Sequence, residues 1–141
     1  MKISTRGRYA LRIMIDLAEH GGGEYIPLKD VVERQEISKK YAESIMIELS
    51  KSGLVDAAHG KGGGYRLKRP ADEYTVLEIL KVTEGELTIV DCNPQGIACP
   101  RASTCRTTAL WKELGALVEG FLNDKKLSDY VQRGEEYDFV I

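Results

Sequence analysis

The chain is poor in the residues that do chemistry. Its 141 residues include three Cys, two His, two Phe and one Trp. No apolar run approaches the roughly 20 residues that cross a bilayer. The longest candidate, Ala10 to Ala18, is interrupted by Arg12 and Asp16. The opening Met1-Lys2 lacks the apolar stretch of a secretory leader, so the expected location is the cytoplasm, with no membrane partner. Disulfides do not persist in that compartment, and an odd number of cysteines cannot all be paired. With only His20 and His59 as histidines and no nucleophile–base pair, the sequence does not read as an enzyme.

What is present is the makeup of a globular chain, 43% hydrophobic and 30% charged. The length fits one domain, or one domain with an appendage. A net charge of −2 hides an asymmetry. Residues 1–70 carry 13 Lys and Arg against nine Asp and Glu, whereas residues 71–141 carry seven against 13. The basic front half suits a polyanion, and the acidic back half a different task.

Helical signals come first. Ser4-Thr5 are capping residues, and Ala10, Leu11, Met14, Ile15, Leu17 and Ala18 recur at helical spacing until Gly21-Gly22-Gly23. A short second helix starts at Pro27, with Leu28, Val31 and Val32 facing inward. A third starts at Ser38, carries Tyr41, Ala42, Ile45, Met46 and Leu49 as its stripe, and closes at Gly53. A strand from Leu54-Val55, a flexible tip from His59 to Gly64 and a returning strand from Tyr65 to Lys68 follow, with Pro70 as the stop. Three helices and a basic, glycine-tipped hairpin are the order of a winged helix-turn-helix.

The fourth predicted helix runs from Thr75 to about Glu84. A long one runs from about Cys105 to Asn123, with Ala109, Leu110, Leu114, Leu117, Val118 and Phe121 on one face. That face exceeds what a small domain needs, which suggests pairing with a second copy. A last short helix lies in "KLSDYVQRG", and the tail "YDFVI" is expected to pack back on the body. The fold class is therefore mainly α with a small β-hairpin wing. Residues 1–74 form a winged helix-turn-helix DNA-binding domain, and residues 75–141 hold the cysteine loop and the dimerisation helices.

Candidate DNA contacts follow from that fold. At the start of the third helix they are Ser38, Lys39, Lys40, Tyr41, Glu43 and Ser44, with Tyr41 equally readable as core. At the wing tip they are His59, Gly60 and Lys61, followed by Arg66 and Lys68. Lys2, Thr5, Arg6 and Arg8 are placed to grip the phosphate backbone. The loop "GKGGGY" lacks the Walker spacing of a nucleotide cradle.

All three cysteines fall in one polar stretch, as Cys92-x6-Cys99-x5-Cys105. Structural zinc sites pair their cysteines two to four residues apart, so this spacing argues against zinc. A larger iron–sulfur cluster can be wrapped by such a loop, and the third cysteine at a helix start would be stabilised as a thiolate. A thiol redox switch is the other reading of the same residues.

The stretches "MKISTRGRYAL", "ISKKYAESI", "GLV", "GKGGGYRL" and "CRTTALWKEL" together give a resemblance covering nearly all of the chain. It resembles the dimeric winged-helix transcription regulators (Rrf-type) that include IscR, NsrR and CymR. The resemblance implies a homodimer with crossing long helices that reads a palindromic operator in double-stranded DNA. It also implies that Cys92, Cys99 and Cys105 hold an iron–sulfur cluster, [2Fe–2S] favoured over [4Fe–4S], which sets operator affinity in response to iron–sulfur status, oxygen, redox or nitric oxide.

Two positions depart from that pattern. The iron–sulfur cluster regulator carries a histidine ligand where this chain has Thr108. The nitric-oxide sensor borrows a carboxylate near positions that are here Arg6, Arg8 and Tyr9. The first gap is also one residue longer than in the iron–sulfur cluster regulator. The fourth ligand is thus unassigned, with Asp91, His20 of the partner subunit, a partner Glu, a small thiol or an open site as candidates. The alternatives are a cluster-free thiol-redox regulator and a small iron–sulfur electron carrier.

Overall fold

A computed structural model describes residues 1–90, 100, 101 and 103–132. Helix α1 (Thr5–His20) starts where the Ser4 hydroxyl accepts from the Gly7 N–H and ends where the Gly21 N–H donates to Leu17. Its inward stripe is Ala10, Ile13, Met14 and Leu17, all buried. Helix α2 (Leu28–Gln35) follows Pro27, whose fixed φ suits a helix start. Glu36 then takes a left-handed conformation at φ +54, so the chain turns sharply into α3 (Lys39–Lys51). Ser38 caps α3 by accepting from the Tyr41 N–H. Ala42, Ile45, Met46 and Leu49 are buried against Ile13, Met14 and Val31. Each such large side chain contributes about 1.5–3 kcal/mol by leaving water, so this seam holds the three helices together.

Strands β1 (Val55–Ala58) and β2 (Gly64–Leu67) form the antiparallel wing, with Val55 opposite Leu67 and Ala58 opposite Gly64. A third backbone segment seats the hairpin: Ile26 and Tyr65 exchange two N–H to carbonyl bonds of 2.8 and 2.9 Å. Gly64 makes this approach possible. Its φ is +144, and a Cβ there would sit 2.1 Å from the Ile26 carbonyl oxygen.

A 3-10 turn (Ala71–Glu73) leads to α4 (Val76–Glu84), which opens with a reciprocal capping box between Thr75 and Glu78. Helix α5 spans Thr108–Asp124. It starts three residues later than the sequence pattern suggests. Thr104 donates back to Arg101 in a turn, and the Thr107 hydroxyl is held at 3.3 Å from the Cys105 sulfur, so Cys105 lies before the helix. The short helix expected in "KLSDYVQRG" is a single 3-10 turn, Leu127–Tyr130, closed where the Lys126 N–H donates to Asp129. The tail "YDFVI" lies outside the described residues.

After α5 the chain returns to the body. Val76 donates to the Lys125 carbonyl and Leu127 to the Tyr74 carbonyl, at 2.9 and 3.0 Å. Leu127 is fully buried. Tyr74, Ile79 and Leu127 belong to the same core cluster as Ile13 and Met46, so the core continues past residue 74.

Candidate nucleic-acid interface and cysteine segment

Helix α3 carries its exposed residues opposite its buried stripe. Lys39, Lys40, Glu43 and Ile47 face outward, with Ser38 exposed at the cap. Lys39, Glu43 and Ile47 line a groove whose other wall is the wing residues Ala58, His59 and Tyr65. A cationic row beside a groove bounded by a helix and a hairpin is the arrangement that fits one helix into a DNA major groove. The spacing of the apolar stripe located this face. It did not point to Ile47, which is 52% exposed and can touch a thymine methyl.

The wing tip is a built turn rather than a loose one. Gly63 donates to the Gly60 carbonyl at 3.0 Å, and Gly60 and Gly62 have φ of +84 and +78. A Cβ on Gly63 would sit 2.3 Å from the Ala58 carbonyl oxygen. The glycines therefore serve the turn itself, and they leave His59, Gly60 and Lys61 exposed at its end. Arg66 braces the wing from behind. Its guanidinium lies 4.3 Å from the Tyr25 ring centroid and donates to the Gly23 carbonyl. Arg66 and Lys68 both stand 3.6 Å from Asp56.

Lys2, Thr5 and Arg8 are exposed at the N-terminus, with Arg8 donating to the Thr5 hydroxyl at 2.9 Å. Arg6 is turned inward instead. Its Nε lies 2.5 Å from Glu48 Oε1 and its Nη2 donates to the Ser44 hydroxyl at 2.7 Å. Its guanidinium also sits 5.7 Å from the Tyr41 ring, which packs edge-on against Tyr9. Arg6, Tyr41 and Ser44 are thus half-buried and engaged with one another, at the edge of the outward row. Of the other expected contacts, Lys2, Thr5, Arg8, Ser38, Lys39, Lys40, Glu43, His59, Gly60, Lys61 and Lys68 are exposed, and Arg66 is half-buried.

Two residues outside the expected set hold this surface in place. Asp16 is fully buried and accepts from Arg34 Nε and Nη2 at 3.0 and 2.8 Å and from Gln35 Nε2 at 2.9 Å. The bond to Asp16 raises the Arg34 guanidinium above its ordinary value despite partial desolvation. A carboxylate within an apolar helical stripe must find a partner, and that was the signal available in the sequence. The second is Tyr74, which joins the wing base to the start of α4. No local pattern marked it.

Cys105 is exposed, just ahead of α5. The Thr107 hydroxyl, then that of Thr108, hold its thiol down to about 7, with the backbone N–H groups of both residues adding to the effect. The expected stabilisation within the first helical turn is replaced by these hydrogen bonds, because the helix begins at Thr108. Cys92, Cys99 and Asp91 lie outside the described residues. Among the described residues, no three His, Cys, Asp or Glu side chains gather closely enough to hold a metal ion. Along α5, Leu110, Leu114, Leu117 and Phe121 form one exposed apolar stripe spaced four, three and four apart. No helix among the described residues is long and apolar enough to cross a membrane.

Residues 3–133 match the Rrf2 family, described as iron-dependent transcriptional regulators. The chain is 39% identical to the HTH-type transcriptional regulator IscR of Cereibacter sphaeroides, across 94% of this chain and 88% of that one. It is 36% identical to IscR of Escherichia coli, across 98% and 85%. Among solved structures, IscR of T. potens superposes with a TM-score of 0.77 at 31% identity, covering 100% of this chain and 93% of that one. CymR, the global cysteine regulator of B. subtilis, superposes at 0.75 with 32% identity, covering 92% and 95%. These regulators are not enzymes, and they share the helical body and the two-stranded wing. The chain belongs to the Rrf2 family of transcriptional regulators.

Proposed function

We propose that the protein is a cytoplasmic, homodimeric repressor or activator that binds a palindromic operator, and that an iron–sulfur cluster on Cys92, Cys99 and Cys105 sets its affinity. The observation that carries the sensing half is Cys105. An exposed thiol held near pKa 7 is substantially thiolate at neutral pH, and thiolate is the form that ligates iron. Cys105 fits the donor set, and Cys92 and Cys99 would complete it from the same segment. When bound, the cluster supplies a group sensitive to oxygen and nitric oxide. Thr108 stands where the related iron–sulfur regulator has a histidine ligand, which leaves the fourth ligand unassigned.

In this reading residues 1–74 bind DNA and residues 75–141 sense and pair. Lys39 and Lys40 meet phosphates or guanine acceptors, Ser38 and Glu43 read base edges, and His59, Gly60 and Lys61 follow the minor groove. Lys2, Thr5 and Arg8 hold the backbone. The stripe Leu110, Leu114, Leu117 and Phe121 meets its copy in the second subunit and spaces the two half-sites.

The same Cys105 geometry also supports a cluster-free thiol switch. One experiment separates the two. Protein purified without oxygen is examined by visible absorption with iron and acid-labile sulfide assays, and its operator affinity is measured before and after exposure to air. A brown sample with iron matched by sulfide, losing colour and changing affinity together, is the expected result. A colourless sample that resists reconstitution, and whose binding responds to peroxide and recovers with a dithiol, would establish the thiol switch instead.

A further inference from the structure

A chain of polar contacts runs from the entrance of the cysteine segment to the flank of α3. Glu84 is the last residue of α4, and Gly85, at φ +70, ends that helix ahead of the cysteine segment in the sequence. The Glu84 carboxylate accepts from the Ser4 N–H and from the Ser4 hydroxyl, each at 2.6 Å, and so holds the N-cap of α1. Gly7 permits this seating, since a Cβ there would lie 3.1 Å from Glu84 Cδ. Two residues beyond Ser4, Arg6 reaches the other way, to Glu48 and Ser44 of α3 at 2.5 and 2.7 Å. Ser44 and Glu48 lie beside the outward row Lys39, Glu43 and Ile47 and are half-buried.

We infer that Arg6 is a positioning residue that sets how α3 is presented to DNA, and that Glu84 ties this setting to the end of α4. The inference rests on α3 being the helix that enters DNA. Two donors of the Arg6 guanidinium are spent inside the protein, and its side chain is only 27% exposed. An arginine reaching for phosphate would be free and solvated, as Arg8 nearly is. The first turn of α1 is instead a two-sided clamp. A shift at the start of the cysteine segment moves Glu84, hence Ser4, hence Arg6 and the flank of α3. Such a route is a claim about coupling, and only coupled measurements test it.

The test uses the sign of charge. Removing Glu48 or Glu84 deletes a negative charge, so electrostatics alone would tighten DNA binding. Removing a positioning contact weakens it. A duplex selected from a random pool by the wild-type chain, and an unrelated duplex, are titrated with full-length protein at several salt concentrations. Arg6→Ala and Glu48→Ala are each expected to weaken the selected duplex about tenfold, with the salt slope unchanged and the unrelated duplex little affected. The double variant is expected to be no weaker than the worse single one. Glu84→Ala should weaken the selected duplex in the same way. If Arg6→Ala melts below the assay temperature, Arg6→Lys carries the question, since it keeps the charge but loses the two-pronged contact.

A salt slope lower by about 1, with both duplexes weakened alike, would make Arg6 a phosphate contact and overturn the inference. Tighter or unchanged binding by Glu48→Ala would overturn it as well. Unchanged binding by Glu84→Ala would remove the tie to α4. Failure of the wild-type chain to select any duplex would count against DNA reading by α3 itself, a separate and distinguishable result.

Discussion

The Tyr74 hydroxyl donates to the Leu54 carbonyl at 2.7 Å and accepts from the Lys68 and Arg69 N–H groups at 2.9 and 3.1 Å. One buried oxygen thus ties the entry and the exit of the wing to the residue that precedes α4. The Arg69 guanidinium covers the Tyr74 ring at 4.2 Å and reaches Glu78 at 2.8 Å. That bond to Glu78 raises the Arg69 guanidinium above its ordinary value. The wing is therefore fastened at its base, while its tip stays free for a partner.

Tyr74→Phe keeps the ring and removes the oxygen. It leaves one buried carbonyl and two N–H groups short of a partner, at a cost of about 1–3 kcal/mol. A lower Tm with unchanged helix content is the expected outcome in a thermal melt. An unchanged Tm would mean that water replaces the hydroxyl.

Two of the wing glycines with positive φ, Gly60 and Gly64, should behave differently. Gly64→Ala pushes a Cβ into the Ile26 carbonyl oxygen and forces the hairpin off its seat. Gly60→Ala meets nothing within 4 Å and carries only the strain of a φ of +84, roughly 1–2 kcal/mol. Gly64→Ala is expected to lower operator affinity at least about tenfold with the helical circular dichroism retained, and Gly60→Ala to cost much less. Equal losses would show that both glycines act through DNA approach.

Lys40 is exposed at the start of α3 and meets no protein partner among the described residues. If it contacts a phosphate, Lys40→Ala weakens selected and unrelated duplexes alike and lowers the salt slope by about 1. If it reads a base, discrimination is lost at one operator position. Titrations across single-base operator variants distinguish the two.

Leu117 is 71% exposed in the single chain, at the centre of the α5 stripe. Leu117→Asp should leave the monomer folded, because no core contact is lost, and should abolish the dimer. Sedimentation velocity is expected to show a single species of about half the wild-type mass. A dimer that survives would move the interface off this stripe.

The Cys105 thiol sits near 7, below its ordinary value of 9.0, because the Thr107 and Thr108 hydroxyls favour the thiolate. Lowering an acid's pKa makes its charged form dominant from a lower pH upward. In metal-free protein with Cys92 and Cys99 replaced by Ser, the rate of iodoacetamide alkylation should rise through a midpoint near pH 7 and level off above it. Thr107→Val, which keeps the branched shape and loses the hydroxyl, should move the midpoint upward. A midpoint that stays in place would take the Thr107 hydroxyl out of the account.

The sequence alone determined the order of elements and which side of α1, α2 and α3 faces the core. Periodicity and caps are local, and the apolar stripes of α1 and α3, with Ser4, Ser38 and Thr75 at helix starts, lie within a few residues of what they control. The same stripe shows by exclusion that Lys39, Lys40 and Glu43 are exposed. Tertiary structure alone decided the pairings. Ser4 meets Glu84 across 80 positions, Arg6 meets Glu48 across 42, and Asp16 meets Arg34 across 18. A charged side chain in a sequence carries no mark of its partner, because the partner is set by how two helices cross. For that reason Arg6 reads as a phosphate grip in the sequence and lies against α3 in the fold. The start of α5 moved for a similar reason: the Thr107 hydroxyl turns back to the Cys105 sulfur instead of capping the helix.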